Sequence, residues 1–286
     1  MTGRRPLRVC QIITKLEVGG AQATVVATAA HLAADPEVDV VTLAGIEDDS
    51  GGVLWRRARD LGLDVRAVPA LRRSVRPIAD LRAVQQLRRA LREIAPDVVH
   101  THSSKAGVLG RLAASAEGLP VVHTIHGWSS ICGDQGPAAR AGVVGIERWL
   151  GRRTARLVVV TEVDRTIGLA AGIGREDQYA LVRSPLDAAD AAAARIPIVA
   201  NCVGGVGDIV EDGISGWCFP VGDDRALTVA LGRILDDPAG TARMVDVAEH
   251  RVQGEFGIDA VTDQLSDLWR LAAAAPVRAP EPSHAS

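Results

Sequence analysis

Two histidines, His123 and His126, end an apolar segment of strand length in the sequence VVHTIHG. Open α/β sheets bind ligands at the carboxyl ends of their strands, where an imidazole can donate or accept a hydrogen bond. Because side chains alternate along a strand, one of two closely spaced histidines turns toward the core, and we interpret His123 as that structural residue. His126 is therefore the candidate for contact with a ligand.

Two glycine pairs follow predicted strands and precede predicted helices: Gly19 with Gly20, and Gly204 with Gly205. Glycine allows the backbone to approach a phosphate closely, and the free amide groups of a helix N-terminus point toward it. Both pairs are candidate phosphate or diphosphate sites, with a tight turn as the alternative. The first pair lacks the GxGxxG spacing, which counts against a nicotinamide dehydrogenase.

The sequence HTHSSKAG places two more histidines, His100 and His102, at the end of the preceding strand. They have no acidic neighbours at the spacing of metal ligands, and the chain has no DxD motif, so we predict no metal site. Ser103 follows them at a position where its hydroxyl could cap the next helix.

Apolar segments of strand length alternate with helical stretches through the first two thirds of the chain. This alternation predicts βαβ units around a parallel sheet, with strands near 7–14, 38–45, 64–70, 97–102, 120–126, 156–161 and 179–184. From Arg195 onward only two strands and a few helices are predicted, about half of a doubly wound domain. We therefore predict a complete Rossmann-like domain at 1–187, a truncated second one at 188–275, and a disordered tail rich in proline and alanine at 276–286.

Composition excludes several classes of partner. The net charge of −3 gives no overall basic field to attract nucleic acid. No apolar run is long enough to span a membrane and the N-terminus lacks a signal-peptide pattern, so we expect a cytoplasmic protein with four reduced cysteines. The arginine-rich stretch 71–93 predicts a solvated helix face or, as the alternative, peripheral contact with anionic lipid at the inner membrane face.

Three stretches, VCQIITKLEVGGAQATVV, DVVHTHSSKAGVLGRLAA and RIPIVANCVGGVGDIVEDGISGWCFPVGD, resemble a family-four retaining glycosyltransferase of the GT-B fold. In that fold, two Rossmann-like domains face each other across a cleft. The resemblance implies transfer of a sugar, with retention, from a nucleotide diphosphate sugar to a polysaccharide or lipid-linked acceptor. It implies no metal or cofactor, and it puts the sugar beside His126, the acceptor near Gly19 and Gly20, and the donor against Gly204 and Gly205.

The sequence departs from this family where the two halves join. The family's second glutamate aligns with Asp190, which becomes the other candidate catalytic residue, and Val182 stands near the place of the first. The segment that carries an Arg and a Lys around the donor diphosphate has no counterpart, as an internal deletion would produce. Two alternatives stay open: a catalytically inactive remnant or partner subunit, and a sugar-nucleotide epimerase of similar architecture.

Overall fold

The computed structural model describes residues 5–46, 52–132, 136–185, 195–201 and 206–275. The strands are β1 (Leu7–Lys15), β2 (Val38–Gly45), β3 (Asp64–Ala67), β4 (Val98–His102), β5 (Val121–Ile125), β6 (Arg156–Val159), β7 (Tyr179–Leu181), β8 (Val199–Asn201) and β9 (Trp217–Phe219). The helices are α1 (Gly20–Leu32), α2 (Val53–Asp60), α3 (Pro77–Ile94), α4 (Ser104–Ala116), α5 (Ser129–Cys132), α6 (Pro137–Gly151), α7 (Glu162–Ala170), α8 (Val206–Ile209), α9 (Asp224–Asp236), α10 (Pro238–Phe256) and α11 (Ile258–Ala274).

The first seven strands form one parallel sheet in the order β3-β2-β1-β4-β5-β6-β7. Strands β4 (VVHTH) and β5 (VVHTI) are buried along their whole length, and each carries buried polar side chains after its two valines. The strand order reverses between β1 and β4, and such a switch point opens a crevice at the carboxyl ends of the strands. The α/β fold with a complete parallel-sheet first half is confirmed.

Helices cover both faces of this sheet. On one face, α3 and α4 pack against β1, β2 and β4, with Leu87 and Leu91 buried against Ile12 and Leu43. The other face is covered by α1, α2 and α11, and in α11 the side chain of Trp269 is fully buried. The last helix of the chain is thus part of the core of the first sheet.

The second sheet is small: β8 and β9 form a parallel pair, accompanied by α8, α9 and α10. Few strands were expected here. The division at 187 and 188 stays a prediction. Helix α11 lies within 188–275, but it packs on the larger sheet, where its apolar face buries side chains of β1, β4 and β5. Asp190, Gly204, Gly205 and the segment 276–286 lie outside the described residues.

The cysteines differ from the expected four reduced thiols. Cys10 is buried and free, and burial raises the pKa of its thiol. Cys132 is exposed and free. Cys218 is disulfide-bonded, so the expectation is wrong for this residue, which lies in β9 beside Ala200 of β8. Within the part of the chain that the structure describes, no helix is long and apolar enough to cross a membrane.

Candidate functional site

A cavity of ≈ 190 Å³ lies at the carboxyl ends of β4 and β5, beside the switch point of the sheet. Its lining combines the ends of these strands with the beginnings of α1 and α4: Ala21, Ser103, Ser104, His123, Thr124, Ile125, His126, Gly127, Trp128 and Glu147. A larger cavity of ≈ 520 Å³ lies among α9, α10 and β9, where the Arg233 guanidinium packs over the Trp217 ring. We take the smaller cavity as the candidate site because histidines, hydroxyls and a carboxylate converge on it.

His126 directly follows the last residue of β5, and one of its ring nitrogens lies within hydrogen-bond distance of another histidine. Its Nε2 lies 3.2 Å from Nδ1 of His102, and the two rings stack with centroids 5.5 Å apart. Burial lowers the pKa of His126 to about 4, so the ring is neutral near pH 7. Its Nδ1 has no hydrogen-bond partner among the described residues, and it is the nitrogen available to a ligand.

His100 is held by the last helix. The indole Nε1–H of Trp269 donates to His100 Nδ1 at 3.1 Å, and His100 Nε2 lies 2.7 Å from Thr124 Oγ1. An indole nitrogen can only donate, so Nδ1 must be the unprotonated nitrogen. Burial, together with the neighbouring His126, lowers the pKa of His100 to about 3. The neutral ring therefore carries its proton on Nε2 and donates it to Thr124, which lines the cavity.

Ser103 precedes α4 in a strained backbone conformation, with φ 64° and ψ 156°. Side chains other than glycine rarely adopt this region, at a cost of about 1–3 kcal/mol. The prediction that its hydroxyl caps α4 is wrong: Ser103 Oγ lies 2.7 Å from Thr14 Oγ1. The backbone N–H of Ala106 donates instead to Thr14 Oγ1 at 3.2 Å, so a hydroxyl from β1 caps the helix.

Gly19 and Gly20 bring the start of α1 to the cavity. Gly19 occupies the N-cap position with extended backbone at φ 169°, and Gly20 begins the helix. The next residue, Ala21, lines the cavity together with His126, whereas Gly19 and Gly20 are not among its lining residues. The structure therefore places the start of α1 at the cavity that contains His126, and the role of the glycine pair stays a prediction.

A buried ion pair, which the sequence analysis missed, lies beside the cavity. The Arg111 Nη2 group donates to both carboxylate oxygens of Glu147, at 2.8 and 2.7 Å, and Arg111 Nε donates to the Gly107 carbonyl at 2.8 Å. Burial lowers the pKa of Arg111, partly offset by Glu147. The available signal was an arginine among small apolar residues in GVLGRLAA, a position that α4 turns toward the core.

Comparison with known proteins decides the family. A family model described as a glycosyl transferase 4-like domain matches residues 19–184, more than half of the 286 residues. The chain belongs to this glycosyltransferase 4-like family. The family assignment expected from the sequence is therefore confirmed.

Relatives of the glycosyltransferase 4-like chain match it over short stretches. It is 37% identical over 105 residues to an Escherichia coli UDP-Gal:alpha-D-GlcNAc-diphosphoundecaprenol alpha-1,3-galactosyltransferase, covering 35% of this chain and 26% of the relative. It is 34% identical over 97 residues to a Mycobacterium tuberculosis glycogen synthase, covering 34% of this chain and 23% of that enzyme. The matched stretches thus span about a quarter of each curated relative.

Solved structures share the fold. A glycosyltransferase from Rickettsia africae superposes with a TM-score of 0.76 at 10% identity, covering 95% of this chain and 100% of the other. The Anabaena HepE protein, crystallised with UDP and glucose, superposes with a TM-score of 0.73 at 13% identity, covering 91% and 98%. These superpositions confirm the GT-B-like α/β architecture.

Asp190, Gly204 and Gly205 lie outside the described residues, so their roles stay predictions. Lys15 and Arg183 are, by sequence position, the nearest candidates to replace the family's missing Arg and Lys, and Lys15 pairs with Glu17. Arg183 donates to the Val160 carbonyl at 3.1 Å and packs over a phenylalanine ring of α10. Within the described ranges, no three His, Cys, Asp or Glu side chains cluster to hold a metal ion, and independence of a metal stays a prediction.

Proposed function

We propose that this chain acts as a glycosyltransferase that moves a sugar from a nucleotide diphosphate sugar to a sugar or lipid-linked acceptor. The reaction retains the anomeric configuration and uses no metal or cofactor. The observation that carries the proposal is the cavity at the ends of β4 and β5, where His126 faces the starts of α1 and α4. The acceptor lies on this side, near Gly19 and Gly20.

The role of His126 follows from its protonation. A neutral imidazole with a pKa of about 4 supplies a hydrogen bond rather than a positive charge near pH 7. His126 therefore orients the sugar, and the charge of the departing nucleoside diphosphate is met on the donor side. We assign that side to Gly204, Gly205 and Asp190, with the amide groups of a helix start binding the diphosphate.

Weak activity is part of the proposal. Preorganised cations supply much of the stabilisation that a departing diphosphate needs, and the sequence has no counterpart of the segment that carries the family's Arg and Lys around the donor diphosphate. The two-stranded second sheet favours the alternative of an inactive remnant or partner subunit. The family match favours a transferase over an epimerase.

Transfer of radiolabelled sugar from a panel of nucleotide sugars tests the proposal, beginning with UDP-galactose and UDP-glucose. These come first because the E. coli relative is named for UDP-Gal and HepE was crystallised with UDP and glucose. We expect His126→Ala to abolish transfer and Cys132→Ser, on the exposed free thiol, to leave it unchanged. Folded wild-type protein that transfers no sugar from any donor would support the remnant alternative.

Peripheral membrane contact is proposed for the start of α3. Val75, Ile78 and Leu81 are 80%, 72% and 62% exposed, and arginines flank them at Arg72 and Arg76. Apolar side chains within a basic surface suit the interface of an anionic bilayer, and they would hold a cytoplasmic protein at the inner membrane face.

Sedimentation with vesicles containing phosphatidylserine tests this contact. Ile78→Ser combined with Leu81→Ser should reduce binding, whereas Leu235→Ser, which is 77% exposed on α9, should not. Equal binding of both variants to the vesicles would refute membrane contact by the start of α3.

A further inference from the structure

The polar wall of the cavity can be sorted by whether each group donates or accepts a hydrogen bond. Glu147 lines the cavity, and its carboxylate is fixed from behind by Arg111 Nη2. A carboxylate oxygen has two acceptor positions, so each oxygen of Glu147 keeps one after bonding to the guanidinium. Glu147 therefore presents acceptors, and no donor, to whatever occupies the cavity.

His123 presents a second acceptor. Its Nδ1 lies 3.1 Å from the Thr101 carbonyl oxygen and 2.9 Å from the Thr101 hydroxyl. Because a carbonyl oxygen can only accept, Nδ1 carries the proton. Burial, reinforced by the nearby positive charge of Arg111, lowers the pKa of His123 well below its ordinary value. The ring is neutral, and its Nε2 carries a lone pair.

Close packing fixes this ring against α4. A Cβ atom on Gly107 would stand 2.5 Å from His123 Cε1, so only glycine admits the imidazole at this point of the helix. The same glycine accepts the bond from Arg111 Nε through its carbonyl group. One turn of α4 thus positions both acceptors of the wall.

The Arg111–Glu147 ion pair is not explained by a contribution to the stability of the fold alone. Both side chains are almost fully buried, and Arg111 Nη1 has no hydrogen-bond partner among the described residues. Well-packed apolar residues often replace a buried pair at no loss of stability. What the pair does provide is a carboxylate held rigidly at the cavity wall.

The volume of the cavity and the polar groups of its lining limit which molecules can bind there. The cavity of ≈ 190 Å³ is smaller than the roughly 300–1,000 Å³ that is typical of sites for drug-sized ligands. The charge of the Glu147 carboxylate in its lining is offset by the Arg111 guanidinium behind it, and Glu147 and His123 present only hydrogen-bond acceptors to the cavity. An uncharged molecule rich in hydroxyl donors fits these acceptors, whereas a phosphate brings mainly further acceptor oxygens and leaves them unmatched.

We propose that Glu147 and His123 bind the hydroxyl groups of a single uncharged sugar ring, with Arg111 as the residue that positions Glu147. This specificity rests on the proposed function, since the sugar is the one that takes part in transfer. It also assigns the starts of α1 and α4 to sugar oxygens rather than to phosphate.

The test is a titration of the whole chain with D-glucose, D-galactose, N-acetylglucosamine and inorganic phosphate, followed by the NMR signals of the histidine rings. We expect at least one monosaccharide to shift the His123 signals and phosphate to leave them unchanged. Glu147→Gln should weaken monosaccharide binding by about 10- to 100-fold, the value of a hydrogen bond to a charged group.

Glu147→Gln leaves the buried charge of Arg111 without its partner and could unfold the protein. A second variant therefore separates loss of sugar binding from loss of the fold. Arg111→Met with Glu147→Met removes both charges, should keep the fold by circular dichroism, and should lose sugar binding equally. Glu93→Gln breaks an exposed Arg–Glu pair on α3 and should change nothing.

The inference is overturned if phosphate shifts the same signals, if no monosaccharide binds, or if the folded double variant binds sugar as the wild type does. Failure of the proposed function looks different. Glu147-dependent sugar binding without any transfer leaves the inference standing, whereas transfer that is indifferent to Glu147→Gln refutes the inference alone.

Discussion

Lowering the pH from about 6.5 to about 5 should destabilise the fold steeply, because buried neutral histidines must gain protons on unfolding. His100 and His126 have pKa values of about 3 and about 4 in the folded chain, against 6.5 when exposed. The unfolded state therefore binds more protons in this range. Stability is fully present above the unfolded pKa of 6.5 and is lost as the pH falls toward the folded values.

The magnitude follows from the width of the interval. Each pH unit between the two pKa values is worth 1.36 kcal/mol per group, so about 1.5 units give about 2 kcal/mol for each histidine and about 4 kcal/mol for the pair. His102 and His123, whose pKa values burial also lowers, add to this loss. Against a total stability of about 5–15 kcal/mol, the effect is large.

Urea unfolding followed by circular dichroism at pH 7.5, 6.5, 5.5 and 5 measures it. His100→Gln should flatten the dependence by about 2 kcal/mol over this range, whatever it costs at neutral pH. His250→Gln, on the exposed surface of α10, should leave the dependence unchanged. The reasoning is refuted if the free energy of unfolding of the wild type varies by less than about 1 kcal/mol over this pH range. It is also refuted if the free energy varies by the same amount in the wild type and in His100→Gln.

Three further outcomes are expected. Trp269→Phe leaves the buried His100 Nδ1 without its donor, which should lower the free energy of unfolding by about 1–3 kcal/mol and alter the His100 nitrogen shifts in NMR. Gly107→Ala forces a methyl group onto His123 and should lower the melting temperature, whereas Gly254→Ala, with open space around it, should keep or raise it. Calorimetric titration should find no nucleotide sugar that binds more tightly than about 1 μM, because the segment that carries the family's Arg and Lys around the donor diphosphate has no counterpart in this chain.

The sheet could be predicted from the sequence because segments of strand length alternate with helical stretches through the first two thirds of the chain. All seven strands of the larger sheet were predicted, and β4, predicted at 97–102, runs from Val98 to His102. The histidines at the ends of β4 and β5 could be located for the same reason. Their partners could not, because a hydrogen bond such as Trp269 to His100 joins residues 169 positions apart.

Other features of the site were hidden by the same limitation. The cap of α4 comes from Thr14 on a neighbouring strand, whereas local sequence pointed to Ser103. The Arg111–Glu147 pair joins two helices whose contact depends on the order of strands in the sheet. Helical periodicity shows which face is buried, but it does not show which opposing side chain meets a buried charge.

The return of α11 to the first sheet affects how the chain can fold. Val9, Val98 and Val122 are buried beneath Trp269 and its neighbours in this helix. During synthesis the sheet is complete in sequence long before α11 leaves the ribosome, so this apolar surface stays open until the last helix arrives. Closing so long a loop is slow, and the waiting surface is prone to association. A fragment that ends after β7 would keep that surface permanently exposed, and water would then reach His100, which Trp269 covers in the full chain.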